Sequence, residues 1–341
     1  VFYLPSGLLT DRFGTRLPLV IGLGVLGTFT GLFVWVSRFA ESFLLRFLGG
    51  IGGGLIILST TRAVILWFPE KERATVMGFK QSGVNLGGII GGMSLPTLAI
   101  MYSWRLGFIV AGGLGIIGAV IAFLSMRDPP HSSYTEQPKA SVGRDLRTIV
   151  RNRDIMLVAL ASIPLVWAEM AGMSFMVLFL TEAHYIHVVT AGFLLSLAEG
   201  AGAIAKPGWG FISDRVFDGK RKIVFLLCLV LAGILSLTLG NLPVETPFWF
   251  LSITVFLWGF VAIGWGGIYL TLLGEFGGAE SAGLAAGYGL IFTSFGSIAG
   301  PPIFGYVVDV FRSYSLAWGL TGMICLASAL IVWSVREEKK L

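Results

Sequence analysis

The chain has 341 residues, 55% of them hydrophobic and only 13% charged, with a formal net charge of +5. Soluble domains carry about 25% charged residues, so a soluble enzyme, a nucleic-acid-binding domain and a disordered chain are all excluded. A mean hydropathy of +0.84 with a pI near 9.3 reads as a polytopic membrane protein whose basic residues are sorted to one side.

Residues 1–9 read as the last turns of a helix already under way, so an N-terminal truncation is expected. Apolar windows then predict spans near 17–37, 43–66, 75–98, 105–126, 155–180, 189–212, 223–240, 248–273, 283–308 and 315–335. Each is long enough to cross a hydrocarbon core of about 30 Å as a helix. Helices are required because an isolated strand leaves its backbone polar groups unpaired in lipid. The loops alternate sides. One set (10–16, 67–74, 127–154, 213–222, 274–282 and the tail) holds 17 of the 24 Lys and Arg, and the other holds only Arg38, Arg105 and Arg312. The first set is therefore predicted to be cytoplasmic; its 274–282 loop, with Glu275 and Glu280, carries no basic residue. The longest polar stretch, 127–154, opens Arg127-Asp128-Pro129-Pro130 and reads as a linker between two hydrophobic halves, 1–126 and 155–335, with a tail at 336–341.

The halves share a motif. Gly7-Leu8-Leu9-Thr10-Asp11-Arg12 and Gly210-Phe211-Ile212-Ser213-Asp214-Arg215 both read Gly-x-x-x-Asp-Arg at the basic end of an apolar segment. This pattern resembles the loop motif of the major facilitator superfamily. Arg46 with Gly49, Gly50, Gly52, Gly53 and Gly54 is similar to that family's fourth span, Trp67-Phe68-Pro69 with Glu72-Arg73-Ala74 to its next loop, and Gly300-Pro301-Pro302 to its eleventh span. The resemblance implies an all-α membrane protein of two six-helix bundles, with the first span and most of the second lying outside this sequence. Phe79-Lys80-Gln81-Ser82-Gly83-Val84-Asn85 and Lys206-Pro207-Gly208-Trp209-Gly210 resemble organic-anion branches such as the oxalate/formate-antiporter-like carriers, where Arg is commoner than Lys at the position of Lys206. By the same resemblance, Gly7, Asp11, Arg12, Asp214 and Arg215 form a conformational gate that ties the bundles together.

Charges inside spans cost roughly 2.5–3.5 kcal/mol each at the helix centre and need a reason. Arg62 and Lys80 lie close enough to a span end for their stems to snorkel. After Lys80, however, Gln81, Ser82 and Asn85 make that helix end polar enough to line a wet pathway. Arg46 is either a structural arginine held by backbone carbonyls or, by resemblance, a substrate or coupling residue. Lys206 precedes Pro207, which frees the carbonyl of Ala203; a cation beside an open acceptor is a ligand-site pattern. Glu199 lies one heptad earlier, about 10.5 Å along the axis, and Glu169 sits near the centre of its span. Both are candidate proton carriers. Trp258, Trp265 and Tyr269 recur at helical spacing as one stripe, read either as packing or as the wall of a cavity.

Two GxGxxG patterns, Gly22-x-Gly24-x-x-Gly27 and Gly113-x-Gly115-x-x-Gly118, lie inside apolar helices and read as packing seams rather than dinucleotide sites. Cys228 and Cys325 read as buried free thiols. Walker A, zincin and nucleophile-elbow sequences are absent. The chain therefore reads as no enzyme, with no cofactor, metal or nucleic-acid partner. It is expected to be a monomeric multi-pass carrier in the plasma membrane, moving a small organic anion by alternating access, as symporter or antiporter. The expected substrate residues are Lys206, Lys80, Arg46, Gln81, Asn85, Trp265 and Tyr269. The alternatives are a drug or metabolite exporter of the same superfamily and a non-transporting membrane sensor.

Overall fold

A computed structural model of the chain describes residues 2–128 and 142–337. The middle of the expected linker, 129–141, and the end of the tail, 338–341, lie outside the described residues. Among those described there is no strand. The helices are α1 (Tyr3–Phe13), α2 (Arg16–Gly31), α3 (Phe39–Trp67), α4 (Glu70–Met101), α5 (Trp104–Ser125), α6 (Val142–Arg151), α7 (Arg153–Ala183), α8 (Val188–Phe211), α9 (Arg221–Asn241), α10 (Phe248–Ala262), α11 (Gly266–Phe311) and α12 (Tyr314–Trp333). Nine segments among the described residues are long and apolar enough to cross a membrane. The short α6 lies within the stretch read as a linker.

Helix α11 is broken at Gly278 (φ 69°) and Ser281 (φ −123°, ψ 19°), so two spans, Phe248–Gly278 and Glu280–Phe311, meet there. A second break corrects the expected tryptophan stripe. The chain leaves helical hydrogen bonding between Ala262 and Gly266, so Trp258 lies on α10 while Trp265 sits in the break and caps the start of α11. Glycines at 264, 266 and 267 surround this break, and each weakens a helix interior by about 1 kcal/mol relative to Ala. Trp258 packs against Trp318 and donates to Ser236 Oγ, whereas Trp265 joins Tyr269 and Phe225.

The chain divides into two compact units: Val1–Phe68 with Leu86–Arg151 and Leu273–Tyr288, and Pro69–Asn85 with Asn152–Leu272 and Gly289–Leu341. In the first, α2 packs on α3 and α5 by backbone approach: a Cβ on Gly22 or Gly27 would come within 2.8 Å of the Gly52 or Gly112 carbonyl oxygen. These glycines therefore serve helix packing. Asp128 accepts from the N–H (2.7 Å) and hydroxyl (2.8 Å) of Thr15 and from Arg16 N–H (3.1 Å), closing the N-terminus of α2. In the second unit α9 packs on α12, where a Cβ on Gly322 would lie 2.7 Å from the Gly233 carbonyl oxygen. Glu337 accepts from Arg221 N–H (2.7 Å) and Lys222 N–H (3.2 Å), closing the N-terminus of α9. The same device occurs once in each unit: an acid just beyond the end of one helix caps the start of the helix it packs against. Cys228 and Cys325 are buried and free.

Candidate functional site

The repeated motif builds a socket in each unit. In the first, Gly7 lets α1 touch the backbone of α11, since a Cβ there would lie 2.6 Å from the Gly283 carbonyl oxygen. Asp11 then accepts from the N–H groups of Gly283 (3.1 Å) and Leu284 (2.8 Å). These belong to the first turn after the Ser281 break, where N–H groups have no intrahelical partner. Arg62 completes the socket, with Nε 3.3 Å from Asp11 Oδ1 and Nη1 donating to the Thr10 carbonyl. Arg62 is 3% exposed, which corrects the snorkelling expectation: a carboxylate and a carbonyl from α1 meet the guanidinium inside the protein. Arg12 is exposed and lies over the Phe13 ring.

In the second unit a Cβ on Gly210 would overlap the Ala74 carbonyl oxygen. Asp214 accepts from the N–H (2.8 Å) and hydroxyl (2.6 Å) of Thr75 in α4. Its cation is Arg221, fully buried, which also donates to Ser213 Oγ (3.0 Å) and to the Glu70 carbonyl. Arg215 is exposed. In both sockets the motif aspartate is engaged while the arginine after it faces outward. The buried cations, Arg62 and Arg221, come from elsewhere. Arg221 belongs to the basic run after Gly219, which by pattern alone reads as a solvated loop.

The second unit also gathers polar residues that lie inside spans. Lys206 on α8 is 6% exposed and donates to Asn85 Oδ1 on α4. The helices touch here: a Cβ on Gly78 would overlap the Lys206 carbonyl oxygen and approach Pro207. The Ala203 carbonyl freed by Pro207 is not open, as the sequence suggested, because the Ser82 hydroxyl donates to it at 2.6 Å. Sequence reading missed Ser82 in this role; a small hydroxyl facing a proline-containing helix was its only signal. Glu169, Glu199 and Lys80 lie within electrostatic range of Lys206.

On α7, Glu169 accepts from Trp265 Nε1–H at 3.1 Å. Ser162, two turns earlier on the same helix, pairs with Tyr269 Oη at 3.2 Å. The Tyr269 ring stacks on Phe225 at 5.8 Å and is tilted against Trp265 at 5.2 Å. Gln81 is close by, since a Cβ on Gly266 would lie 3.4 Å from its Nε2. Two of the three residues expected to form a stripe therefore meet an acid and a serine in one buried cluster, and the third does not. Arg46 belongs to the first unit, with its guanidinium 4.7 Å from the Phe33 ring and 5.8 Å from that of Phe108. Its partners are aromatic faces rather than the backbone carbonyls of the structural alternative. No group of three or more potential metal ligands occurs among the described residues.

The sequence profile of the Major Facilitator Superfamily matches residues 1–301 and, in a second alignment, 169–341. The chain belongs to that superfamily. It is similar to a hexuronate transporter of Bacillus subtilis (strain 168), 25% identical, over 97% of this chain and 81% of the relative. A probable galactarate/D-glucarate transporter of the same organism is 26% identical, over 96% of this chain and 78% of the relative. Among solved structures, that of the Escherichia coli fucose:proton symporter superposes with a TM-score of 0.79 over 99% of this chain and 88% of that one, at 14% identity. That likeness shows the fold: an all-α, multi-pass membrane transporter architecture.

Proposed function

We propose that this chain is a secondary carrier of small organic anions of the sugar-acid class. It works by alternating access around a site near the middle of the membrane. The observation that carries this reading is the neutral tether of Lys206. A buried ammonium held by an amide oxygen keeps its positive charge available, and an incoming carboxylate forms a stronger, charge-assisted bond than an amide does. The relatives' names, hexuronate and galactarate/D-glucarate transporters, support the cargo class, because such solutes join carboxylates to several hydroxyls. Lys80 and Arg46 add positive charge for the anion. Gln81, Trp265 and Tyr269 offer partners for the cargo's hydroxyls, and Asn85 belongs to the site as the partner of Lys206.

Glu169 or Glu199 takes the proton if the movement is symport; anion exchange is the other mode. Gly7, Asp11, Arg12, Asp214 and Arg215 act as the conformational gate. The transmembrane bundles span 1–126 and 155–335, joined by the linker 127–154 and followed by the tail 336–341. The carrier acts as a monomer in the plasma membrane, with its basic loops inside.

Counterflow tests this reading. The full-length carrier is reconstituted in vesicles loaded with unlabelled glucuronate, galactarate or glucose, and entry of labelled glucuronate is followed. Transient accumulation driven by the two acids and not by glucose is expected. In parallel vesicles supplied with labelled glucose or a labelled organic cation, counterflow of those solutes without counterflow of glucuronate would overturn the cargo class and favour an exporter. Ligand binding without any counterflow would overturn transport and favour a sensor.

A further inference from the structure

Asn85 occupies an unusual position among the polar residues of the second unit. Lys206 and Asn85 are both buried, at 6% exposure each, and the amide oxygen takes the ammonium directly. Two contacts nearer the start of α4 hold this pairing in place. Toward the start of α4, Gly78 lies against the Lys206 carbonyl. One turn on, Ser82 fastens α4 to Ala203 of α8 at 2.6 Å, and Asn85 is the next residue of α4 on that face, three positions further along. The amide is thus delivered to the ammonium by a rigid helix crossing.

An ammonium buried with no acceptor is strongly disfavoured. Some group must accept from it before a solute arrives. A carboxylate in that place would neutralise the cation and abolish its attraction for anions, as Asp214 does for Arg221. An amide oxygen satisfies the hydrogen bond and leaves the charge.

We infer that Asn85 is an internal stand-in for the substrate carboxylate, which binds by displacing the Asn85 amide oxygen from Lys206. Asn85 is then a competitor that sets the affinity threshold for anions, rather than a contact to the cargo. A solute carboxylate replaces the amide with a charge-assisted pair. A neutral sugar hydroxyl gains nothing over the amide and is rejected. The inference rests on the proposed anion site, and it refines the role of one residue within it.

Two substitutions at one position separate competitor from contact. N85A removes the competitor, and N85D installs a permanent one. Equilibrium binding of labelled glucuronate to the purified full-length carrier is measured for wild type and both variants, with the thermal unfolding midpoint as the folding control. N85A is expected to bind at least threefold more tightly than wild type, and N85D at least tenfold more weakly. A substrate contact would instead weaken binding on truncation, so weaker or unchanged binding by N85A overturns the inference while wild-type binding leaves the anion site standing. Undiminished binding by N85D overturns it equally, even if N85A is lost to misfolding. If wild type binds neither glucuronate nor galactarate, the anion site itself falls and this inference with it.

Discussion

Arg221 and Lys206 are both buried cations of the second unit, but their partners differ. Arg221 is paired with the Asp214 carboxylate and also bonded to Ser213 and the Glu70 carbonyl. Lys206 is held by the Asn85 amide, with Glu169 and Glu199 acting on it only at longer range. The socket arginine is neutralised and structural, since removing one partner of a buried ion pair leaves an uncompensated charge. Lys206 is satisfied by a neutral amide rather than by a direct ion pair. Arg62 with Asp11 repeats the first pattern in the other unit, whereas Arg46, which is exposed, lies over two phenylalanine rings.

The largest effect is expected at Arg221. R221A leaves Asp214 buried without its cation and should cost about 3–5 kcal/mol, read as a marked fall in the thermal unfolding midpoint of the purified carrier. An unchanged midpoint would mean that the socket pair is not structural. Next, S82A removes the donor to the Ala203 carbonyl and should cost about 1–3 kcal/mol, the penalty of an unsatisfied buried acceptor. It should also weaken glucuronate binding by loosening the crossing that positions Asn85. Stability and binding both equal to wild type would detach Ser82 from the site. The smallest effect lies far from either cation. Tyr185 closes α7 with φ 54°, and the following N–H, of Ile186, returns to the Leu180 carbonyl at 3.1 Å. This left-handed position favours glycine. Y185G should therefore raise stability by about 1 kcal/mol, without changing uptake; a lower midpoint would show that the exposed tyrosine ring makes contacts that matter more than the backbone.

Nine of the ten expected spans, all but 75–98, recur among the described residues, and they and the repeat were legible in the sequence because length, hydropathy and the Gly-x-x-x-Asp-Arg pattern are local signals. The observed helices Trp104–Ser125 and Arg221–Asn241 fall within about two residues of the expected 105–126 and 223–240. Lys206, Asn85 and Glu169 stood out as polar residues in apolar surroundings. Their partners did not, because each partner is distant along the chain: Asn85 and Lys206 are separated by 121 residues, and so are Ser82 and Ala203. The Arg62 misreading has the same origin. Distance from a span end is a local property, but burial was decided by Asp11 and Thr10, the latter 52 residues away. The caps provided by Asp128 and Glu337 were hidden for another reason. An acid in a polar tail looks solvated until the helix N-terminus that it closes is known. The helix break at 263–265 was masked by aromatic spacing that fitted an uninterrupted helix.

The proposed role of Lys206, in serving the cargo rather than the fold, is decided by K206A. Uptake of labelled glucuronate and the unfolding midpoint are measured on the same reconstituted preparation, with R221A alongside. Uptake at the level of protein-free vesicles, with a midpoint close to wild type and well above that of R221A, is the expected result. Uptake retained by K206A would contradict it.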